Sequence, residues 1–319
     1  MRSINAQNEQ WNEYAMDYVV PKSTRFIDYK ICSHHRTGLN NDGNADNTQA
    51  ALYSIPSELH VSHCEITKAP MLRETGQGPN AIVVMWESNS KAHQTTLEWY
   101  WEPGDPFFIE PVQTTYVNHC HFVHKATINF GERLFAGSNN LNLNRTVLFY
   151  RVSCGRTETS FYRYETPVKY DLHKNLLPST RIAVLSDNQY GANVMRHILH
   201  ELPDFSPDLL LFGGDVVNRG YLIDEWGMYF WRPLEDAEIG QTTPIVIARG
   251  NHDGESSIAH AFTAPPINKD WFAFSHGAVR YIILDSNAES SAAPKQKIWL
   301  INELNGAESR NALFRCVDF

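Results

Sequence analysis

Pro244-Ile245-Val246-Ile247-Ala248-Arg249-Gly250-Asn251-His252-Asp253 decides how this chain is read. A short apolar run rich in β-branched residues predicts a buried strand. It stops abruptly in a polar turn with an amide, an imidazole and a carboxylate side by side. The same pattern occurs twice upstream. Arg181-Ile182-Ala183-Val184-Leu185-Ser186 runs into Asp187-Asn188-Gln189. Asp208-Leu209-Leu210-Leu211-Phe212 runs into Gly213-Gly214-Asp215-Val216-Val217-Asn218-Arg219-Gly220. One carboxylate after a strand is an ordinary turn or helix cap. Three such endings in series point to a shared site, because ligands of α/β folds gather at the carboxyl edge of the sheet.

Working outward, Ala192–Leu202 has helical spacing, with Val194, Ile198 and Leu202 on one face. Residues 221–238 suit a helix, Val279–Leu284 a strand, Lys295–Leu304 a helix and Ala312–Val317 a further strand. From about residue 176 to 319 the chain therefore reads as an α/β domain whose sheet is covered on both faces. Residues 66–167 follow another rhythm. Ala81–Trp86, Thr96–Trp101, Thr146–Val152 and Phe161–Tyr164 are short β-favouring runs separated by Gly, Asn and Ser clusters, and Pro167 closes the series. That spacing predicts a small all-β sandwich. Residues 1–65 are polar, with the turn-forming run Asn40–Asn47, and read as an extension of low regular structure.

The 319 residues suit about two domains. A hydrophobic fraction of 42% excludes a mostly disordered chain. A net charge of −9 gives no global drive toward nucleic acid or an anionic membrane, so neither is an expected partner. No apolar run reaches the ~18 residues of a membrane-spanning helix. Met1–Gln10 lacks the apolar core of a secretory signal, so the expectation is a cytoplasmic protein, or a secreted one if the N-terminus is incomplete. The five cysteines are too few and too scattered to predict a disulfide framework.

The three strand endings, in this order and spacing, resemble the calcineurin-like metallophosphoesterase superfamily, Gly250-Asn251-His252-Asp253 being the most specific piece. With the β-rich region before them, they resemble purple acid phosphatases with an N-terminal fibronectin-like domain. The resemblance implies a fibronectin III-like sandwich over 66–167 and an αββα metallophosphoesterase domain over 176–319, incomplete at the C-terminus. It implies a hydrolase of phosphate monoesters that uses a hydroxide held on two metal ions (iron, zinc or manganese). Asp187 would bind one ion, Asp215 would bridge both, and Asn251 would bind the second. Catalytic roles would fall to His252, donating to the leaving or a phosphoryl oxygen, and to Asp253, orienting His252 or its loop. The partner would be a phosphorylated small molecule or another phosphoester, and a homo-oligomer is compatible with the pattern. The alternatives are a phosphodiesterase of the same superfamily, or a non-catalytic or truncated protein that keeps the fold.

This sequence departs from the family in three places. Gln189 stands where most members have histidine, and Asn218 where purple acid phosphatases have a ferric-ligating tyrosine. An amide is a poor substitute for a phenolate on ferric iron, which favours divalent ions. The family's three later histidines have no counterpart after Ala312–Val317, where only Asp318 and Phe319 follow. His260 and His276 read as solvated loop residues. The 319 residues alone are thus expected to have negligible phosphatase activity, and to be poorly soluble or oligomeric. Other groupings carry weaker signals. His119-Cys120-His121 with His124 reads as the polar face of a strand more readily than as zinc ligands, and a zinc site pairing His60 and His63-Cys64 with Cys32 and His34-His35 carries a similarly weak signal. Alternate members of Trp99-Tyr100-Trp101 are expected in the sandwich core.

Overall fold

The structure, a computed structural model, describes residues 64–74, 76, 81–89, 94–101, 103–118, 121–130, 147–167, 180–263, 270–288, 292–312 and 314–318. The polar extension lies outside them up to His63, as do His119 and Cys120.

Among the described residues, ten strands precede the first helix. They are β1 (Ile66–Arg73), β2 (Ala81–Ser88), β3 (Thr95–Tyr100), β4 (Phe108–Glu110), β5 (Gln113–Asn118), β6 (His121–Asn129), β7 (Val147–Cys154), β8 (Thr157–Glu158), β9 (Tyr162–Glu165) and β10 (Ile182–Leu185). Then come α1 (Ala192–Phe205), β11 (Leu209–Phe212) and α2, a helix in three parts (Ile223–Glu225, a π-helical stretch Trp226–Trp231, and Arg232–Asp236). β12 (Ile245–Ile247), α3 (Ser257–Thr263), β13 (Phe272–His276), β14 (Val279–Ile283), α4 (Ala293–Asn305), α5 (Ala307–Asn311) and β15 (Phe314–Asp318) complete the order.

One seven-stranded sheet runs β10-β11-β12-β1-β2-β6-β5. β10, β11 and β12 are parallel, and β1 joins β12 in parallel at Arg73 and Ile245. The β-rich region, separable by its pattern, is therefore stitched into the sheet of the α/β region. A second sheet, β4-β3-β7-β8 with β9 on β7, packs over β1 and β2. Leu72, Ile82, Val84 and Trp86 meet Leu97, Trp99, Leu148, Tyr150 and Val152 there. Trp99 is fully buried, as strand alternation requires. The third sheet, β13-β14-β15, covers one face of β11 and β12, where Leu209, Leu211, Val246 and Ala248 meet Phe272, Phe274, Tyr281 and Ile283. On the other face Leu210, Phe212, Ile245 and Ile247 meet Met195, Leu199, Trp226, Phe230, Trp231, Leu234 and Phe262. α4 lies beyond the third sheet, with Arg280 Nε donating to Glu303 Oε1 at 2.8 Å. Apolar side chains on both faces of β11 and β12 thus make a helix–sheet–sheet stack, to which α4 is tied by polar bonds while Ile298, Ile301 and Leu304 stay exposed.

Three expectations are corrected. α1 buries Met195 and Leu199, while Val194 and Ile198 are exposed. Both pairs have the i, i+4 spacing, and contact with α2 selects the one rotated by a residue. Cys64 and Cys154 form a disulfide, so the scattered cysteines do pair across the β-rich layer. His276 is not solvated: it ends β13, buried, with its Nδ1 2.7 Å from Glu74 Oε1.

β1, β2, β5 and β6 also account for His121 and His124. Glu87 Oε1 receives Lys68 Nζ at 2.6 Å, Thr67 Oγ1 at 2.7 Å and His121 Nδ1 at 2.9 Å. His124 sits between Ser88 Oγ (2.7 Å from Nε2) and Thr114 Oγ1 (2.9 Å from Nδ1). Burial pushes the His124 pKa from 6.5 down to about 4, against the pull of the Glu87 carboxylate. In the unfolded chain this ring takes up a proton below about pH 6.5, which the folded chain refuses until about pH 4. Its contribution to stability is therefore full above pH 6.5 and falls as pH drops toward 4. Urea unfolding at neutral pH and at about pH 5 should show a shallower loss in His124→Gln than in the wild type. Equal losses would assign the acid limb to other groups.

Candidate functional site

The three strand ends converge at the carboxyl edge of β10, β11 and β12. Parallel pairing sets Leu185 beside Phe212 and Phe212 beside Ile247, so Asp187, Asp215 and Asn251 all emerge on one side. Two glycines allow the loops after β11 and β12 to touch. A Cβ on Gly214, whose φ is +103°, would stand 2.8 Å from the Gly250 Cα and N. A Cβ on Gly250 would stand 2.1 Å from Asp215 Oδ1. No other residue fits either position without moving the loops.

Both candidate carboxylates have left-handed backbones, with φ of 56° at Asp187 and 51° at Asp215. Aspartate tolerates this region better than most side chains, yet each such residue costs of order 1–3 kcal/mol and persists only where neighbours over-determine it. Here the neighbours are specific. Asp187 N–H donates to Gly214 O (3.1 Å), and Gln189 N–H to Asp215 O (3.2 Å). The Gln189 side-chain amide, nitrogen inward as the surrounding acceptors require, donates to Asp187 O at 3.0 Å and Asp215 O at 2.8 Å. Asn188 Nδ2 donates to Val216 O and to Tyr229 O, each at 3.0 Å. The Tyr190 hydroxyl donates to Asn218 Oδ1.

Asp215 Oδ1 accepts the His252 N–H at 2.9 Å, and Asp187 Oδ2 accepts the Ser186 hydroxyl at 2.6 Å. His252 Nδ1 is 3.1 Å from the Asn218 carbonyl. A carbonyl only accepts, so Nδ1 carries a hydrogen and Nε2 is the nitrogen left for exchange. Asp253 is fully buried. Its carboxylate takes the N–H of Gly250 (2.9 Å) and of Val217 (3.1 Å), so it grips the two loops and not the His252 ring. Burial raises its pKa to about 6, opposed by those amide bonds and assisted by the Asp215 charge. Asn251 is exposed at the turn.

Arg249 anchors the strand end before this turn. Its guanidinium is buried and meets Asp270 at 2.7 Å and Asp285, Glu255 and the His260 ring at 3.3–3.4 Å. His260 thus belongs to the Arg249 cluster, and His276 to Glu74. Sequence reading missed Asn188, Tyr190 and Arg249, and treated Gln189 only as the replacement of a ligand. The polar run 187–190 was the available signal.

The donor set fits a hard cation. Two carboxylates and an amide oxygen are hard oxygen ligands, and backbone bonds from Asp187 N–H to Gly214 O and from Gln189 N–H to Asp215 O hold the two carboxylate-bearing loops together. A second ion would need further donors, since no group of three or more His, Cys, Asp or Glu side chains is gathered for a metal among the described residues.

Residues 180–305 match the calcineurin-like phosphoesterase family. The chain carries a calcineurin-like phosphoesterase domain. Solved structures with a similar fold include purple acid phosphatase PPD1 from yellow lupin (Lupinus luteus) seeds, at 15% identity and a TM-score of 0.57 over 79% of this chain and 51% of that one. The structure of PhoD is similar at 14% identity and a TM-score of 0.52 over 78% and 61%. The chain spans about half the length of the first and three-fifths of the second. No curated protein matches it in sequence.

Because Asp215 takes part in both the glycine contact and the His252 amide bond, its charge should dominate metal retention. Asp215→Asn should remove more bound metal than Asp187→Asn, read by metal analysis of the purified variants. Equal metal content in both variants and the wild type would overturn the assignment.

Proposed function

We propose that the chain is a metal-dependent phosphoesterase that hydrolyses phosphate monoesters, with Asp187, Asp215 and Asn251 holding the cations. The supporting observation is the junction at Asp215. The backbone of the Gly250–Asp253 turn is pressed onto this carboxylate, which also holds the His252 amide. Bound cations supply charge neutralisation for the phosphoryl group and activation of water. The chain's own groups do the rest. Asp215, central to the three endings, would be the carboxylate that holds the cations most strongly. His252, with Nδ1 fixed on Asn218 O, presents Nε2 to give a proton to the leaving oxygen. Asp253 holds the loop that carries both Asn251 and His252. The oxygen-rich set, with Asn218 in place of a phenol, suits manganese, zinc or ferrous iron. By the same reading, the sheet β4-β3-β7-β8 with β1 and β2 corresponds to a fibronectin-like layer.

The test is chelator-sensitive hydrolysis of a chromogenic phosphate monoester by the full protein, with manganese, zinc or iron supplied. His252→Ala should lower turnover about 10²–10⁴-fold with metal content unchanged. Loss of metal with activity would make His252 a ligand, and turnover indifferent to chelator would sink the reading.

The Cys64–Cys154 bond supports an oxidising compartment, and so the secreted form of the localisation expectation. Both cysteines should resist alkylation in unfolded protein until a reductant is added. Reaction of both without reductant would return the protein to a reducing compartment.

A further inference from the structure

Asn188 is the junction of three elements. Its amide nitrogen bonds the Val216 carbonyl, beside Asp215, and the Tyr229 carbonyl inside the π-helical stretch of α2. In an α-helical register this second acceptor would lack its usual donor for a covalent reason. An α-helix would pair the Tyr229 carbonyl with the N–H at position 233, and position 233 is proline, which has none. The π-helical register is itself a common mark of a local functional constraint. Around it Trp226, Phe230, Trp231 and Leu234 are fully buried, so this carbonyl has a fixed place in the core. Asn188 is buried, and its Oδ1 has no hydrogen-bond donor, so the two N–H bonds alone orient the amide.

We propose that Asn188 is a positioning residue for the metal centre: by bonding the Val216 carbonyl and the Tyr229 carbonyl, to which Pro233 cannot donate, it fixes the left-handed Asp187 backbone against the Asp215 loop before any cation binds. This rests on the metal-centre reading above. Both aspartates occupy φ values that a free loop would leave, so the ordering of the carboxylates must come from such bonds. Groups of this kind, which orient ligands without touching the ion, commonly change metal affinity 10–100-fold when removed.

Calorimetric titration of the full chain with Mn²⁺ tests it, with denaturant unfolding of the metal-free protein alongside. Asn188→Ala should weaken Mn²⁺ binding about 10–100-fold. Pro233→Ala should weaken it in the same direction, because an N–H at position 233 competes for the Tyr229 carbonyl, while metal-free stability is unchanged or higher. A merely structural role would not separate those two readouts. The double variant should lose no more affinity than Asn188→Ala alone. Wild-type affinity in either single variant, or losses that add in the double variant, would overturn the proposal. If Asn188→Ala does not fold, Pro233→Ala decides alone. Asp215→Asn distinguishes the underlying reading: a wild-type chain that binds no Mn²⁺, or binds it equally after Asp215→Asn, removes the metal centre itself and this proposal with it.

Discussion

The contact between Gly214 and Gly250 is the constraint on which the site depends. Parallel strands lie ~4.8 Å apart, and loops leaving them normally diverge. Here the loops after β11 and β12 close until the Asp215 carboxylate receives the backbone of the opposite turn. With that gap closed, Asp253 can reach amides on both loops, and His252 can reach the Asn218 carbonyl. Everything chemical in the site follows from the absence of two side chains.

Closing the loops concentrates like charge and left-handed backbone in one place. Neither is favourable by itself, and the compensation comes from the surrounding framework. Arg249 is caged by carboxylates below the turn, Gln189 bridges two carbonyls above it, and α2 supplies a fixed acceptor at the side. The framework is rigid because β11 and β12 are buried on both faces, between the aromatic helix layer and the third sheet.

Much of this was legible in the sequence, because strands buried on both faces read as continuous apolar runs and stop where polar chemistry begins. Leu209–Phe212 and Ile245–Ile247 are such strands, and their endings placed Asp215 and Asn251 on one edge. What was hidden depends on side-chain direction or distant partners. The rotation of α1 was ambiguous, since Val194/Ile198 and Met195/Leu199 share one spacing and only contact with α2 distinguishes them. The Cys64–Cys154 pair and the Glu74–His276 pair join residues far apart in the chain, which no local pattern encodes. The work of Asn188 depends on Pro233, whose missing N–H is visible in sequence but whose acceptor is identified only by the fold.

The parallel pairing of β1 with β12 also bears on how the protein is made. Strand β1 leaves the ribosome long before β12, and the seven-stranded sheet cannot close until both are present. Contacts so distant in sequence delay folding, because the intervening chain must be ordered before they repay its entropy. Until then the edge of β1 that β12 will cover is an unpaired template. The β-rich layer can bury Leu72 and Trp86 against its own second sheet in the meantime, leaving this one edge to wait for the nascent phosphoesterase strands. The register of the largest sheet is thus a late event in biogenesis, and the strand that anchors the Gly250–Asp253 turn is the one that completes it.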